Sequence, residues 1–488
     1  MKKVLSFLLI LFLTSMAAAP LCGQAVHPRD LNFPPLSFEP PDPLSLRHLL
    51  NSGLRAYLAE NPTLPLVNLV AMIDYGSLYD PQEKAGLADL MQDSLVKGGS
   101  AGYPGARLEE RIDFLGGSIS FYVGQRTATL SLSVLSKDMQ EGLSIFFDLL
   151  QNPQFSEESL EVARNRMIEG LKQANDSPRP VLEREYARLL YGEHPLTRIT
   201  TKSTVEAVER ADLLEIHKKY FFPGNVILAA SGDFRLADLK RRINRLTRQW
   251  QNRKTEKLQI PAEFAKITPG VYFIQRPINQ GYVNMGHLGI SDDHPDFFAV
   301  QVMNFILGGG SFTSRITSKV RSDEGLAYNT GSRFTFSPGL PGLFAGYVQT
   351  KSETVSYAIE LIRREFERIR NEPVLDSEME TALNYYQESF ANIFATPDST
   401  VRSFAMLEMQ GKPFDYYKNY RRSIAEVDKE KVLEVAAKHI RPEELVILVV
   451  GDWEPCNRGS EKFPHGLDHF GPVQKIALID RLSGEEIK

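Results

Sequence analysis

Polar and apolar residues alternate between Ser118 and Leu135, directly after the pair Gly116-Gly117. The polar positions are Thr127, Thr129, Ser131 and Ser133, and the apolar positions between them are Ala128, Leu130, Leu132 and Val134. A period of two is typical of a β-strand that buries one face. The stretch is therefore predicted to form β structure.

A different period runs from Lys84 to Val96. Its apolar residues are Leu87, Leu90, Met91 and Leu95, and its other face carries Asp89, Gln92 and Asp93. This spacing predicts a helix over 84–96. Asp89 and Asp93 are four residues apart, so both carboxylates project from one side of the helix. The spacing alone favours a solvated helix face, and a cation site is the alternative.

The chain also repeats itself. Val205 to Phe234 (VEAVERADLLEIHKKYFFPGNVILAASGDF) aligns without a gap with Ile424 to Trp453 (IAEVDKEKVLEVAAKHIRPEELVILVVGDW). Each copy is predicted to be a helix, a proline stop and a buried strand that ends in Gly-Asp. The continuous apolar runs indicate strands that are covered on both faces. Such tandem units predict an α+β fold in which each sheet is backed by helices.

These patterns divide the chain as follows. We predict a signal peptide over 1–25, a proline-rich arm over 26–44, a first domain over 45–255, a linker over 256–267, a second domain over 268–456 and a C-terminal tail over 457–488.

Export is predicted from the N-terminus, where Lys2 and Lys3 precede an apolar run from Val4 to Ala19. That run is short for a membrane span and is typical of a signal peptide, with cleavage near positions 23–25. Lipid anchoring at Cys22 is a weaker alternative. No later stretch approaches about 18 apolar residues, so no span is expected in the mature chain.

Composition fits a globular protein, with 42% hydrophobic and 24% charged residues. The net charge of −5 over 488 residues gives no reason to expect nucleic acid or an anionic membrane surface as a partner. With only two cysteines, a disulfide framework is excluded. The histidines are scattered along the sequence, and none is predicted to bind a metal.

The segment GSLYDPQEKAGLADLMQDSLVKGG resembles the signature region of the M16 metallopeptidases, the family of insulinase, pitrilysin and the mitochondrial processing peptidase. In that family the helix carries His-x-x-Glu-His: two imidazoles bind zinc and the glutamate is the general base. The resemblance covers essentially the whole mature chain. It implies two tandem M16/LuxS-like metallohydrolase domains, each a mainly antiparallel sheet backed by helices, which form half of a clamshell.

The sequence departs from that motif at every position of the helix. Asp89 and Asp93 stand at the positions of the two histidines, and Gln92 stands at that of the glutamate. The family has a further glutamate ligand later in the chain, and Glu169 corresponds to it. Gln92 has no titratable group and cannot serve as a base. We therefore expect no catalytic residue and no zinc in this chain, and at most weak binding of a hard cation by the three carboxylates.

A second family feature lies in LGGGSFTSRITSKVRSDEGLAYNTGS. The glycines 308–310 are not followed by Gly-Lys-Ser/Thr, so a phosphate-binding loop is disfavoured. Arg321 and Tyr328 match the family's Arg-x6-Tyr pair, which implies that they hold bound peptide. The stretch from Ser118 to Leu135 is implied to offer a sheet edge to the same peptide.

The N-terminus predicts an exported, periplasmic or secreted bacterial protein, and the resemblance implies that it binds peptide but is inactive by itself. Its expected partner is an M16 subunit with an intact His-x-x-Glu-His motif and zinc, or a second copy. One alternative is an active metalloendopeptidase that uses Asp89, Asp93 and Glu169. Another is a structural subunit of a membrane-associated assembly.

Overall fold

The structure is a computed structural model, which describes residues 38–254, 260–261, 264 and 267–487. The predicted signal peptide, most of the proline-rich arm and part of the linker lie outside these residues. The strands are β1 (Arg47–Leu49), β2 (Arg55–Glu60), β3 (Leu66–Ile73), β4 (Ser118–Val123), β5 (Ala128–Leu135), β6 (Val226–Gly232), β7 (Gly270–Gln275), β8 (Gln280–Leu288), β9 (Asn329–Phe334), β10 (Leu343–Lys351), β11 (Val446–Gly451) and β12 (Val473–Lys475).

The helices of the first half are α1 (Pro43–Leu46), α2 (Leu87–Gly98), α3 (Gly105–Phe114), α4 (Met139–Gln151), α5 (Glu157–Lys172), α6 (Pro178–Tyr191), α7 (Lys202–Glu206), α8 (Arg210–Tyr220) and α9 (Leu236–Leu246). Those of the second half are α10 (Phe297–Asn304), α11 (Arg315–Thr317), α12 (Val355–Asn371), α13 (Asp376–Ser389), α14 (Pro397–Met409), α15 (Tyr416–Ala425), α16 (Lys429–His439) and α17 (Trp453–Asn457). None of the helices in the described part of the chain is both long and apolar enough to cross a bilayer.

Two six-stranded sheets have the same order in five of their strands and differ in where one edge strand, β1 or β12, lies in the chain, which confirms the predicted duplication. The first is β1-β2-β6-β3-β5-β4 and the second is β12-β7-β11-β8-β10-β9. Most neighbouring strands are antiparallel, whereas β2 and β6 run parallel, as do β7 with β11 and β12 with β7. The repeated strands β6 and β11 end at Gly232 and Gly451, as predicted. The outer strand β12 comes from the segment predicted as a tail.

The two halves interlock through one exchanged helix each. Helix α6 of the first half packs on β8 and β11 of the second sheet, and α14 of the second half packs on β6 and β2 of the first sheet. Their first residues, Pro178 and Pro397, are equivalent positions of the repeat. The second face of each sheet is thus covered by the other half, which explains why β6 and β11 are buried along their whole length.

Aromatic side chains form the centre of both exchanged contacts. Phe404 of α14 is fully buried against Tyr57, with ring centroids 6.1 Å apart. Tyr186 of α6 is also fully buried, and its hydroxyl donates to the main-chain oxygen of Phe344 at 3.0 Å. The larger cores lie on the opposite faces, where α4 covers the first sheet and α12 the second.

Candidate functional site

Helix α2 carries the residues that align with the zinc motif. It begins at Leu87 rather than at the predicted Lys84, because Gly86 adopts a positive φ of 101° that breaks the helical path. The predicted apolar face of the helix is buried, and the helix packs against α5 and β4. Tertiary packing therefore fixes the orientation of the opposite, polar face.

A buried carboxylate holds the start of this helix. Asp80 is 4% exposed and accepts hydrogen bonds from the main-chain N–H groups of Gly86 and Ala88, each at 3.2 Å. These bonds satisfy donors that a helix N-terminus leaves without an intrahelical partner. Burial nevertheless raises the pKa of Asp80 to about 7, although the two main-chain bonds oppose the shift.

Gln92, at the position of the family's general base, is bound to the sheet. Its Oε1 accepts a hydrogen bond from the main-chain N–H of Val123 in β4 at 2.9 Å. Asp89 on the same helix is exposed, yet partial desolvation and the nearby Asp93 carboxylate raise its pKa. Asp93 forms an ion pair with Arg166 of α5, with 3.5 Å between Oδ2 and the nearest guanidinium nitrogen.

Glu169 lies on α5, which packs against α2, but its carboxylate is bound elsewhere. It is exposed and accepts a hydrogen bond from Lys172, one turn further along the same helix, at 2.6 Å. Within the described residues, Asp89, Asp93 and Glu169 do not form a group of ligand atoms close enough to share an ion.

These positions do not fit the zinc site that the family implies. The Gln92 oxygen is used by a main-chain donor, and two of the three carboxylates form ion pairs with Arg166 and Lys172. A zinc site needs three or four converging ligands, preferably nitrogen or sulfur. The helix supplies neither the converging geometry nor the preferred atoms. Weak binding of a hard cation stays a prediction.

Strand β4 forms the outer edge of the first sheet beside this helix. The Val123 N–H that bonds Gln92 points away from β5, and N–H groups alternate in direction along a strand. The N–H groups of Phe121 and Ile119 therefore face the same open edge. Ser118, Ser120 and Tyr122 are exposed, while Phe121 and Val123 anchor the strand to the core.

Arg321 and Tyr328, the predicted peptide-binding pair, do come together on the surface of the second half. The Arg321 guanidinium carbon lies 4.2 Å from the centre of the Tyr328 ring and 4.3 Å from that of Phe312. Tyr328 is 83% exposed and Phe312 is 61% exposed. The three side chains form a stack in which two aromatic rings hold one cation towards solvent.

The glycines before this stack serve packing. Gly308 lies in a π-helical segment, Phe305–Gly309, that approaches β9 closely. A Cβ at Gly308 would lie 2.1 Å from the main-chain nitrogen of Ser332, so no larger residue fits. The close approach explains why a glycine occupies position 308, and no bound phosphate is needed to explain it.

One cluster was missed by the sequence. His294, Asp296 and His439 have ligand atoms within 4.8 Å of one another, although the two histidines are far apart in sequence and were interpreted as scattered. Lys431 and Lys438 also contact the Asp296 carboxylate, at 2.9 and 2.7 Å. Burial opposes the charge of Asp296, but the bonds from Lys438, His439 and Lys431 outweigh it and hold its pKa well below the usual range.

This cluster is better suited to joining two helices than to binding a metal. Asp296 precedes α10, while His439 ends α16, and His294 Nδ1 accepts the main-chain N–H of Asp296 at 3.0 Å. A metal ion would have to displace that bond and both ammonium groups from the carboxylate. Spacing in sequence could not have revealed the cluster, because its members come from opposite ends of the second half.

Sequence and structure comparisons agree with this architecture. The family profile described as "Insulinase (Peptidase family M16)" matches residues 55–204, and "Peptidase M16 inactive domain" matches residues 207–386. The Helicobacter pylori protein named "Non-peptidase homolog YmxG" is 25% identical over 80% of this chain and 90% of its own. An Arabidopsis thaliana protein named "Probable mitochondrial-processing peptidase subunit beta" is 23% identical over 82% of this chain and 77% of its own.

Solved structures give the same result. The crystal structure described as "peptidase M16 inactive domain from Pseudomonas fluorescens" is 25% identical, with a TM-score of 0.74 over 83% of this chain and 98% of that one. A protease structure from Helicobacter pylori, 14% identical, has a TM-score of 0.72 with the same coverage. The two family profiles together span most of the folded chain, in the order expected for tandem domains. This chain therefore belongs to the M16 peptidase family, and its zinc-motif positions are occupied by residues other than the family's ligands and base.

Proposed function

We propose that this chain is a peptidase-inactive M16 subunit that holds peptide for an active partner with an intact His-x-x-Glu-His motif. The observation that carries this proposal is an asymmetry between the halves. The catalytic positions of the first half are replaced, and Gln92, Asp93 and Glu169 are bound within the protein. Arg321 and Tyr328 of the second half, by contrast, remain exposed and adjacent.

The chemistry of the stack suits an extended peptide. A guanidinium offers several N–H donors in a planar fork, and Arg321 uses one in a long bond of 3.4 Å to the main-chain oxygen of Tyr328. The remaining donors are available to peptide carbonyl groups. Phe312 and Tyr328 restrict the side chain from both sides, so less conformational entropy is lost when a peptide binds.

The open edge of β4 supports the same function in the first half. The outward main-chain groups near Phe121 and Ile119 can pair with an added strand, whose recognition depends little on side-chain sequence. Ser120 and Tyr122, which flank this edge, are exposed. Because this mode of binding needs no metal, the loss of the zinc ligands leaves it intact.

The active-enzyme alternative requires Asp89, Asp93 and Glu169 to act together. The described geometry disfavours it, since Glu169 is paired with Lys172 and Gln92 cannot accept a proton from water. The relative from Bacillus subtilis is named "Uncharacterized zinc protease YmxG", and it is 23% identical over 65% of this chain. That name describes the relative, and the replaced residues of this chain argue against the same chemistry here.

A purely structural role is the other alternative. A scaffold has no need for an exposed cation held between two exposed rings, and this stack therefore favours peptide binding. We further propose that the chain is exported through a cleaved signal peptide and works in the bacterial periplasm or outside the cell. The active partner is a second M16 subunit, and self-association is the alternative assembly.

The proposal is tested by peptidase assays on the mature chain alone and mixed with an M16 homologue that has an intact motif. We expect no cleavage by this chain alone and stimulated cleavage by the mixture. Loss of a charge-assisted hydrogen bond contributes about 1.5–3 kcal/mol, so Arg321→Ala should lower kcat/KM of the mixture about tenfold to a hundredfold. Tyr328→Phe tests the hydroxyl, and Asp89→Ala is the matched control with no expected effect.

The outcomes separate the three functions. Cleavage by the purified chain alone that Asp89→Ala abolishes would establish the active-enzyme alternative and overturn the proposal. Stimulation that neither Arg321→Ala nor Tyr328→Phe reduces would instead indicate a structural subunit. Stimulation that is lost with Arg321→Ala and kept with Asp89→Ala supports the proposed peptide-holding role.

A further inference from the structure

A strongly basic segment follows the repeated Gly-Asp strand of the first half. Arg235 to Lys254 contains eight lysines and arginines and one acidic residue, Asp238, which gives this segment a net charge of +7. The whole chain has a net charge of −5, so the rest of the chain together carries −12. The overall charge therefore conceals a concentrated basic region in an acidic protein.

The fold places this charge on one surface. Helix α9 buries Leu239 and Ile243 in the first core, while Arg241 and Arg245 are exposed four residues apart on its other side. Arg248 is exposed in the turn that follows the helix. The helix borders a groove of about 880 Å³, whose lining residues are Asn51, Ser52, Leu236, Ala237, Lys240, Arg241, Asn244, Arg245 and Arg248. A second groove of about 520 Å³ shares Arg245 and Arg248.

Three of these cations are not neutralised by the protein. Asp238 pairs with Arg241 and with Arg242, the latter at 2.7 Å. Lys240, Arg245 and Arg248, by contrast, have no side-chain hydrogen bond or ion pair to any residue that the structure describes. Their charge is therefore available to an external anion.

The fold itself does not require this basic helix. In the second half, the equivalent Gly451-Asp452 leads into the short helix α17, Trp453–Asn457, which contains Glu454 and no lysine or arginine. The sheet of that half nevertheless has six strands, like the first. Since the same architecture is built without the charges, stability of the fold does not explain them.

We infer that this face, formed by Lys240, Arg245 and Arg248 with Arg241, docks on an anionic phospholipid surface. The apolar side of α9 is already buried in the protein core, so binding is peripheral and electrostatic and does not involve insertion. The acidic remainder of the chain is repelled by the same surface, which orients the molecule with α9 towards the lipid.

Two other polyanions fit the observations less well. Single-stranded nucleic acid binds on exposed aromatic rings, but Trp250, the aromatic residue of the segment, is buried and its indole donates to the Phe221 oxygen at 3.2 Å. An acidic protein segment would gain from apolar anchor pockets between the charges. The grooves beside α9 are lined mainly by polar and basic groups.

The test is co-sedimentation of the mature chain with vesicles of phosphatidylcholine alone and of phosphatidylcholine mixed with phosphatidylglycerol. We expect binding only to the anionic vesicles. Binding should be lost when salt is raised from about 0.1 M to about 1 M, which shortens the Debye length from about 10 to about 3 Å. Each basic residue near such a surface contributes about fivefold, so the triple variant Lys240→Gln, Arg245→Gln, Arg248→Gln should bind about a hundredfold less.

A matched control removes the same charge elsewhere. Lys351→Gln, Lys418→Gln and Lys475→Gln together change the net charge equally at exposed positions of the second half and should leave vesicle binding nearly unchanged. Equal binding to both vesicle types, or equal loss in both triple variants, would overturn the inference. The inference would also be overturned if the wild type does not bind vesicles and the α9 variant assembles more weakly with an active M16 subunit. The basic face would then be a surface that binds protein.

Discussion

The two halves of this chain share the order of five strands but have diverged in opposite ways at their surfaces. In the first half, the metal helix is kept as a packed element while its polar face is bound to β4 and Arg166. In the second half, the corresponding helix α10 continues into the π-helical segment Phe305–Gly309, and the exposed stack around Arg321 is kept instead. The comparison shows that the architecture constrains the buried faces and leaves each exposed face free to change its chemistry.

The halves also differ in the ion pairs that fix each exchanged helix to the opposite half. The carboxylate of Glu408 in α14, with a side chain that is 10% exposed, accepts bonds from three donors of the first half, which are Arg47, Arg55 and Tyr57. On α6, Glu183 pairs with Arg333 of β9, but this carboxylate is 41% exposed. Water screens the exposed pair more strongly, so the pairs at α14 should contribute more to holding the halves together.

The buried carboxylate of α6 is used within its own helix. Glu185 is bound by Arg184 and Arg188, both of which lie on α6. Helix α6 therefore depends mainly on apolar packing and on the Tyr186 hydroxyl, which donates to the second sheet.

The largest expected effect comes from breaking the exchange at its aromatic centre. Phe404→Ala leaves a cavity between α14 and the first sheet, and such changes lower the free energy of unfolding by about 3–5 kcal/mol. Urea denaturation measures the change. Val162→Ala, at a position that is 53% exposed, is the control and should change it by less than about 0.5 kcal/mol. Equal effects of the two variants would show that the exchanged helix contributes little to stability.

A further large effect on stability is expected from the ion pairs of α14. Glu408→Ala leaves two partly buried guanidinium groups and the Tyr57 hydroxyl without their acceptor, which should destabilise the protein by about 2–4 kcal/mol at neutral pH. Burial opposes the charge of Glu408, but the bonds from Arg47 and Tyr57 outweigh it and lower its pKa. This contribution is therefore present above the unfolded pKa and is lost as pH falls through the lowered folded value.

Urea denaturation of wild type and Glu408→Ala at a series of pH values checks this sign. The difference between them should be largest near neutral pH and should shrink in acid. Glu372→Ala, which removes an exposed partner of Arg368, is the control and should have little effect at any pH. A difference that grows in acid would contradict the assignment of the Glu408 charge.

Asp80 should show the opposite pH dependence. Burial raises its pKa to about 7, so between about pH 4 and 7 the folded state holds a proton that the unfolded chain has released. Its stabilising contribution is full below the unfolded pKa and is lost as pH rises through about 7. Wild type should therefore lose up to about 3–4 kcal/mol relative to Asp80→Asn between pH 4 and 8, as measured by urea denaturation. Asp93→Asn, on the polar side of α2, is the control. A difference in the free energy of unfolding between wild type and Asp80→Asn that does not change with pH would contradict a buried carboxyl that holds a proton.

The smallest effect on stability is expected at the exposed stack. Arg321→Ala removes a solvent-exposed cation between two exposed rings and should change the free energy of unfolding by less than about 1 kcal/mol. The same variant should strongly reduce the activity of the mixed pair. Thermal unfolding together with the peptidase assay checks both parts. A large loss of stability would mean that the stack is part of the fold, and that its exposure does not indicate a binding role.

Much of the fold followed from the sequence because its signals are local or periodic. The gap-free match of the segments that begin at Val205 and Ile424 predicted the duplication, and the two sheets have the same order in five of their strands. The apolar runs of β6 and β11 predicted strands covered on both faces. Arg321 and Tyr328 are close in sequence, and they meet because one irregular helical turn and a short loop join them.

The sequence by itself thus determined the family, the paired sheets and the loss of the zinc ligands, since these depend on residue identity and short-range pattern. Only the tertiary structure decided which element covers each sheet, because α6 and α14 exchange between halves that are far apart in sequence. It also decided which partners the charged groups have. Glu169 pairs with Lys172, whereas His294 and His439 meet at Asp296, since a carboxylate pairs with whichever cation the packed helices bring within reach.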